Sequence, residues 1–234
     1  MPSSTVLGID LGTTNSCAAV FRQKRNPNGP LTIRYTDVLI DFDSSEKLVP
    51  SIVSYTGEQF VVGDDARVEM KRHPENSVFE VKRCIGRRFN DPVVQQMKTK
   101  YPFKIVPLIY TPGDTAIQLN NIQYRPEEIS AKVLSHIRTN AVTVLAVPDI
   151  TKAVITVPAY FDDHQRKATK RAAEIAGFEE ITLVNEPTAA ALSLKQEDPS
   201  TVGKRVLVFD FGGGYQTQGN KSSCVLQRKK QRDY

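Results

Sequence analysis

The stretch that decides the fold is VLGIDLGTTN at residues 6–15, near the start of the chain. A similar string, VLVFDFG, recurs at residues 206–212. In both copies an apolar run ends in aspartate, one apolar residue follows, and then glycine. Glycine lets the backbone approach a phosphate closely, threonine hydroxyls donate hydrogen bonds, and two aspartates can hold a hydrated magnesium ion. The repeated pattern therefore predicts two loops that handle phosphate and metal.

Chance and other nucleotide motifs are the alternatives to this interpretation. Aspartate and glycine both favour turns, so a single copy could simply end a strand, whereas two copies in one chain favour a functional pair. The chain has no GxxxxGK[ST] motif, and the apolar run at residues 17–21 predicts a strand rather than a helix after Gly12. Because a P-loop or a dinucleotide fingerprint places the phosphate at a helix N-terminus, neither of those motifs fits.

The composition is that of an ordinary globular chain. The 234 residues are 40% hydrophobic and 24% charged, which suits one large domain or two modest ones. No apolar run approaches the ~20 residues of a membrane helix, and the first residues do not resemble a secretory signal. Cys17, Cys84 and Cys224 are widely spaced and form no CxxC pair, so neither a disulfide framework nor a zinc site is indicated. We expect a cytoplasmic protein without membrane contact.

The basic charge is concentrated at the end of the chain. The formal net charge is +5, but residues 215–234 contain five basic side chains and one acidic one. The rest of the chain is therefore nearly neutral. A basic tail can bind nucleic acid, but no aromatic residue is interleaved among its charges, so we expect a solvated tail and no nucleic-acid partner.

Strands and helices alternate along the sequence. Apolar runs predict strands at residues 6–9, 17–21, 52–55, 59–62, 103–110, 154–157 and 181–184, the first two as a β-hairpin. Helices are predicted from Pro126 onward, from Asp162 or Asp163 to Gly177, and over residues 188–195. This order predicts α/β layers with some parallel pairing.

Together, five motifs resemble those of the 70-kDa heat-shock (DnaK-type) chaperone family, in the family's order. They are IDLGTTNSC at 9–17, VKRCIGRRF at 81–89, VPAYF at 157–161 followed by QR at 165–166, NEPTAAA at 185–191, and VFDFGGG at 208–214. The resemblance implies an actin-like ATPase fold, in which two RNase H-like α/β lobes close on ATP. It also implies a protein-folding chaperone of the stress response, with ATP and Mg²⁺ as cofactors.

The resemblance further implies a domain organisation. Residues 5–50 and 126–199 would form the core subdomain of the first lobe, and residues 51–125 a smaller inserted subdomain that carries Lys82. Residues 200–214 would begin the second lobe, with a strand at 206–210.

Site residues follow from the resemblance position by position. Lys82 and Glu186 match the catalytic residues that orient the γ-phosphate and the attacking water. Read without the family, Lys82 would be a helix-end cation and Glu186 a charge at a helix N-terminus. Asp10 and Asp210 match the metal-site aspartates of the two lobes.

The remaining matched positions bind the nucleotide or couple the lobes. The nucleotide-binding positions are Gly12, Thr13, Thr14, Asn15, Gly212, Gly213 and Gly214. Pro158 and Arg166 match positions through which nucleotide state is coupled to substrate release.

The sequence departs from the family pattern after Gly214. Tyr215 stands where the family has threonine, and the following family aspartate has no counterpart, since residue 217 is Thr. We expect residues 215–234 to be a disordered product of a frameshift, a retained intron or a gene-model artefact. The second lobe would then be incomplete, so that the chain binds ATP weakly and does not turn it over.

The implied partners are those of the family. They are ATP and ADP, J-domain co-chaperones, nucleotide-exchange factors and unfolded polypeptides. The alternative function is that of a non-catalytic fragment that binds co-chaperones.

Overall fold

The structure is a computed structural model that describes residues 5–25, 32–39, 41, 44–201, 203–208 and 210. Its strands are β1 (Val6–Asp10), β2 (Asn15–Arg25), β3 (Thr32–Val38), β4 (Val49–Pro50), β5 (Ile52–Tyr55), β6 (Phe60–Val62), β7 (Ser77–Phe79), β8 (Lys104–Pro107), β9 (Thr115–Leu119), β10 (Ile122–Tyr124), β11 (Lys152–Val157) and β12 (Glu180–Asn185). Its α-helices are α1 (Asp64–Arg72), α2 (Pro92–Lys100), α3 (Pro126–Leu145), α4 (Asp163–Ile175) and α5 (Glu186–Glu197). The predicted α/β class is confirmed.

A mixed sheet of order β12-β11-β1-β2-β3 is the centre of the fold, with β4 paired to β2. Strand β2 runs antiparallel to both β1 and β3, as the predicted hairpin requires, whereas β1, β11 and β12 are mutually parallel. Strand β3 is not predicted by the apolar runs because its sequence, TIRYTDV, is half polar and lies at the sheet edge.

Helices α3 and α4 pack against each other and contribute to the same core. The four-residue spacing predicted from Pro126 buries Ile129, Val133, Ile137 and Ala141. Helix α4 begins at an Asp162 cap, whose carboxylate accepts a hydrogen bond from the Gln165 amide at 2.9 Å. The parallel strands are largely apolar, as is usual for strands covered by helices.

The polypeptide between β4 and α3 forms two small antiparallel sheets, of order β6-β5-β7 and β10-β9-β8. Phe79, Tyr101 and Phe103 pack against one another with ring centroids 5.1–5.6 Å apart. Strand β8 ends at Pro107, earlier than the predicted residue 110, because proline cannot donate to the ladder. Helix α3 contacts both sheets, and the subdomain boundaries at residues 50 and 125 stay predictions.

The strand predicted at residues 206–210 is not formed in the described part of that segment. Residues 205–208 and 210 are outside any strand or helix. No strand of the described residues lies beside them to complete a hydrogen-bond ladder, and a strand needs such a partner. The predicted phosphate loop at Gly212–Gly214 and the predicted tail lie outside the described residues.

Candidate functional site

The turn between β1 and β2 brings together four of the predicted phosphate-binding residues, Gly12, Thr13, Thr14 and Asn15. At Gly12, a Cβ atom would lie 1.9 Å from the Asn15 carbonyl oxygen, so only glycine fits this position. The Ser51 hydroxyl donates to the Gly12 carbonyl at 2.8 Å, and the Ser51 amide donates to the Thr14 carbonyl at 2.8 Å. Ser51 therefore holds two carbonyl groups of the turn, so the shape of the turn is set by the protein rather than by a ligand.

The Asp10 carboxylate at the end of β1 is oriented by the neighbouring strand. Asp10 pairs in register with Thr156 of β11, and the Thr156 hydroxyl donates to Asp10 Oδ1 at 2.7 Å. Asp10 is itself exposed, so its carboxylate is accessible to a ligand while one oxygen is held in place.

Lys82 connects the two sides of the site. Its Nζ donates to the Leu11 carbonyl oxygen at 2.6 Å and to Glu186 Oε1 at 2.6 Å. The two side chains of the ion pair are only 11% and 19% exposed. Lys82 lies in a 3₁₀ turn after Glu80, a residue in the left-handed region, and Glu186 is the first residue of α5. The ammonium is thus fixed beside the backbone of the turn that follows Asp10.

Several negative charges converge on Glu186. Burial raises the pKa of Glu186, the Lys82 cation lowers it, and the Asp10 and Asp210 carboxylates raise it further. Asp210, which is exposed, is therefore near enough to act electrostatically on the same carboxyl group. The structure brings Asp10, Lys82, Glu186 and Asp210 into one electrostatic neighbourhood.

The carboxylates of Asp10 and Asp210 suit magnesium, which also binds water and phosphate, better than a metal ion whose ligands all come from the protein. Among the described residues no group of three or more His, Cys, Asp or Glu side chains could hold a metal ion. Magnesium needs no such group, because it keeps several waters and takes one or two carboxylates together with phosphate oxygens. Two aspartates that raise the pKa of a neighbouring glutamate make a region where a cation would be stabilised.

Arg166 and Pro158 lie in and next to the segments that lead to Glu186. Arg166 donates through Nε to the Phe161 carbonyl at 3.0 Å and through Nη2 to Asn185 Oδ1 at 2.8 Å. Asn185 immediately precedes Glu186, and Pro158 is buried at the end of β11. Arg166 therefore joins the loop after β11 to the start of α5.

Thr156 and Ser51 are site residues that the sequence reasoning missed. Thr156 is 146 positions from Asp10 along the chain, and Ser51 is 39 positions from Gly12. Strand pairing places the Thr156 hydroxyl, and Ser51 directly follows β4, which pairs with β2, so no local pattern in the sequence signals either role. Knowledge of the β1–β11 register would have been enough to find Thr156.

Comparison with known proteins shows the family. The family model described as "Hsp70 protein" matches residues 6–218. The "Mitochondrial-type heat shock protein 70" of Encephalitozoon cuniculi is 41% identical over 212 residues, which cover 91% of this chain and 33% of that protein. The "Heat shock 70 kDa protein 2" of Paracoccidioides lutzii is 39% identical over 209 residues, covering 89% of this chain and 30% of that protein.

The fold and these matches define a lobe of the actin-like ATPase type. The chain belongs to the Hsp70 family. It spans about a third of the length of the curated relatives it matches. In the part of the chain that the structure describes, no helix is long and apolar enough to cross a membrane.

Proposed function

We propose that this chain provides the first-lobe phosphate- and Mg²⁺-binding face of an ATP-dependent Hsp70 chaperone. The observation that carries the proposal is the Lys82 ammonium, held at 2.6 Å from both the Leu11 carbonyl and Glu186 Oε1, beside the glycine turn. Phosphoryl transfer depends mainly on positioning and charge neutralisation, and a fixed cation next to an amide-rich turn supplies both.

Each side chain has a proposed task. The amides and hydroxyls of Gly12, Thr13, Thr14 and Asn15 bind phosphate oxygens, and Lys82 orients the terminal phosphate and the attacking water. Glu186 accepts a hydrogen bond from that water and aligns it.

The metal is proposed to be held by few protein groups. Asp10 and Asp210 bind magnesium through its waters, and the bound ion neutralises charge that develops on the phosphates. Gly212, Gly213 and Gly214 are proposed to contact phosphate from the opposite side.

Arg166 and Pro158 are proposed to couple this site to a distant one. Arg166 donates hydrogen bonds to Asn185, the residue before Glu186, and to Phe161 in the loop that follows Pro158. Displacement of Glu186 would therefore move that loop. In a complete chaperone such coupling would link nucleotide state to release of unfolded polypeptide.

The remaining proposals come from the family. J-domain co-chaperones and nucleotide-exchange factors are the proposed protein partners, and stress-related protein folding is the proposed biological role. The cytoplasmic location stays a prediction, since one relative is described as mitochondrial-type.

For the 234-residue polypeptide on its own we propose weak ATP binding and no turnover. The described site residues are proposed to contact only phosphates and metal, whereas small-molecule sites usually bury 70–90% of their ligand. An adenine base that stays in water adds little to the affinity for ATP. If donors stabilise the transition-state charge from one side only, each missing donor lowers the hydrolysis rate about 10²–10³-fold.

The test is calorimetric titration of the purified chain with Mg²⁺-ATP, together with a phosphate-release assay. We expect a Kd above about 1 μM that rises with salt, at least tenfold weaker binding in Lys82→Ala, and no phosphate release above background. Lys71→Ala, an exposed lysine on α1, is the charge-matched control and should bind as the parent does. Submicromolar ATP binding, or turnover that disappears with Lys82→Ala, would contradict the weak-binding proposal. Binding that is equal in both variants would contradict the assignment of the site.

A further inference from the structure

A cleft on the same lobe is lined by none of the residues assigned to nucleotide or metal. It is a cleft of about 500 Å³ between the first turn of α3, one face of α4 and two loops. Its lining residues are Gly86, Arg87, Arg88, Thr111, Asp114, Thr115, Arg125, Pro126, Glu127, His164, Lys167, Ala168 and Arg171. Basic side chains dominate this lining, although the described chain as a whole is close to neutral.

Gly86 holds the two walls of the cleft together. Its φ is +68°, and a Cβ atom there would lie 2.6 Å from Gln165 Cα and 2.7 Å from the His164 carbonyl oxygen. The loop that carries Arg87 and Arg88 is therefore packed tightly on the first turn of α4. The cleft is part of the fold and not a gap between loosely packed segments.

The carboxylate of Asp114 is already neutralised. It is bound by Arg88 and, at 3.0 Å, by Arg125, and it accepts a hydrogen bond from Thr111. Although burial opposes the change, these hydrogen bonds and the two arginine charges lower the pKa of Asp114. Arg87 is also paired, through a 2.8 Å contact with Asp91.

The second carboxylate, Glu127, is largely buried between arginines. It is 8% exposed, and Arg125 Nη1 lies 4.0 Å from Glu127 Oε1. Burial raises the pKa of Glu127, and the charges of Arg125 and Arg171 lower it. With Arg87 set aside, the lining of this cleft therefore has four basic side chains and only two carboxylates.

Lys167 and Arg171 supply the positive charge that is left over. They lie one turn apart on α4, both exposed, and neither forms an ion pair with a carboxylate of the residues that the structure describes. Lysine and arginine at this spacing present their charged groups side by side on one helix face.

We propose that this cleft binds a compact oligophosphate anion through Lys167, Arg171, Arg88 and Arg125. A guanidinium group can donate two parallel hydrogen bonds to the oxygens of one phosphate. Because Arg88 and Arg125 both bind the single carboxylate of Asp114, each retains N–H donors for a second anion. The volume is within the range of small-ligand sites and accommodates a di- or triphosphate group. A neutral or cationic ligand would leave the excess positive charge uncompensated.

The test uses inorganic tripolyphosphate as the probe and the full 234-residue chain. Calorimetry is done on the parent, on Lys167→Ala/Arg171→Ala, and on Lys170→Ala/Lys195→Ala, in which two exposed basic residues outside the cleft are removed. Thermal unfolding of all three confirms folding, which exposed helix positions should tolerate. We expect the Kd to rise at least about tenfold for the cleft variant and less than twofold for the control.

Histidine NMR locates the bound anion without any substitution. Of the three histidines only His164 lines the cleft, whereas His73 and His136 do not. The ring signals of His164 should shift with tripolyphosphate while the other two stay in place. Parallel titrations with ATP and GTP separate free oligophosphate from a nucleotide as the source of the anion, and similar His164 shifts with all three support recognition of the phosphates alone.

Three results would overturn the proposal. They are the absence of both heat and a His164 shift at millimolar probe, equal weakening in the two double variants, and binding that leaves His164 unmoved. The last of these would place the anion outside the cleft. Failure of this test leaves the proposed ATP site standing, because the Lys82→Ala titration with ATP is read separately.

Discussion

Replacing Lys82 with alanine should destabilise the protein in a strongly pH-dependent way. The substitution leaves Glu186, whose side chain is 19% exposed, without its cation. A carboxylate in that position either stays charged at a cost or takes up a proton. The cost of protonation is therefore an upper limit on the penalty, and this limit can be worked out from the ordinary glutamate pKa.

The limit follows from the ordinary pKa of 4.5 and about 1.36 kcal/mol per pH unit. It is at most about 3.4 kcal/mol at pH 7 and about 0.7 kcal/mol at pH 5. Loss of the hydrogen bond from Lys82 to the Leu11 carbonyl adds about 1 kcal/mol at every pH. We thus expect Lys82→Ala to cost up to about 4.4 kcal/mol at pH 7 and under about 2 kcal/mol at pH 5.

The sign follows from the direction of the Glu186 shift. Its pKa is already raised in the folded parent, and removal of the Lys82 cation raises it further. A group with a raised folded pKa binds its proton more tightly in the native state than in the unfolded state. Its contribution is full below pH 4.5 and is lost as pH rises through the folded pKa, so the variant falls behind the parent as pH increases.

Urea unfolding at pH 5, 7 and 8 measures the effect. Lys82→Ala/Glu186→Gln, which removes both charges, should restore most of the pH-dependent part, and Lys71→Ala should change stability by less than about 0.5 kcal/mol. A loss that is the same at pH 5 and pH 8, or a double variant as pH-sensitive as the single one, would refute the reasoning.

Three further predictions concern single positions. Gly86→Ala should lower the free energy of unfolding by about 2–5 kcal/mol, because its Cβ would lie 2.6 Å from a backbone atom at φ +68°. Gly57→Ala, at φ +100° in open space, should cost only about 1 kcal/mol. Thr156→Val should weaken Mg²⁺-ATP binding about fivefold by freeing Asp10, and Thr156→Ser should not. Burial raises the pKa of Cys84 to about 12, so iodoacetamide should label Cys84 at least ~100-fold more slowly in the native protein than in urea.

These three predictions can fail in distinct ways. Equal losses for the two glycine variants in thermal or urea unfolding would contradict the close approach at residue 86. Calorimetry in which the valine and serine variants bind alike would remove Thr156 from the site. Rapid native labelling of Cys84, read by mass spectrometry of the tryptic peptide, would mean that this segment opens readily.

The local pattern of the sequence determined most of the central sheet and its helices. The alternation of apolar runs with Gly and Thr predicted the β1–β2 hairpin, and the Pro126 and Asp162 signals placed the starts of α3 and α4. Helix α5 begins at Glu186, two residues earlier than predicted, because proline is tolerated in a first turn. The edge strand β3, and the absence of a strand among the described residues of 206–210, depend on neighbouring strands, which the local sequence pattern does not report.

The sequence by itself also determined the family and the residue types of the candidate site. The need for glycine at residue 12 comes from Asn15, only three residues further along the chain, so a local sequence pattern can report it. Only the tertiary structure decided that Lys82 bonds both Leu11 and Glu186, at separations of 71 and 104 residues, and that Thr156 holds Asp10. Strand register and helix packing bring these groups together, and both are set by burial of the whole core rather than by any short segment.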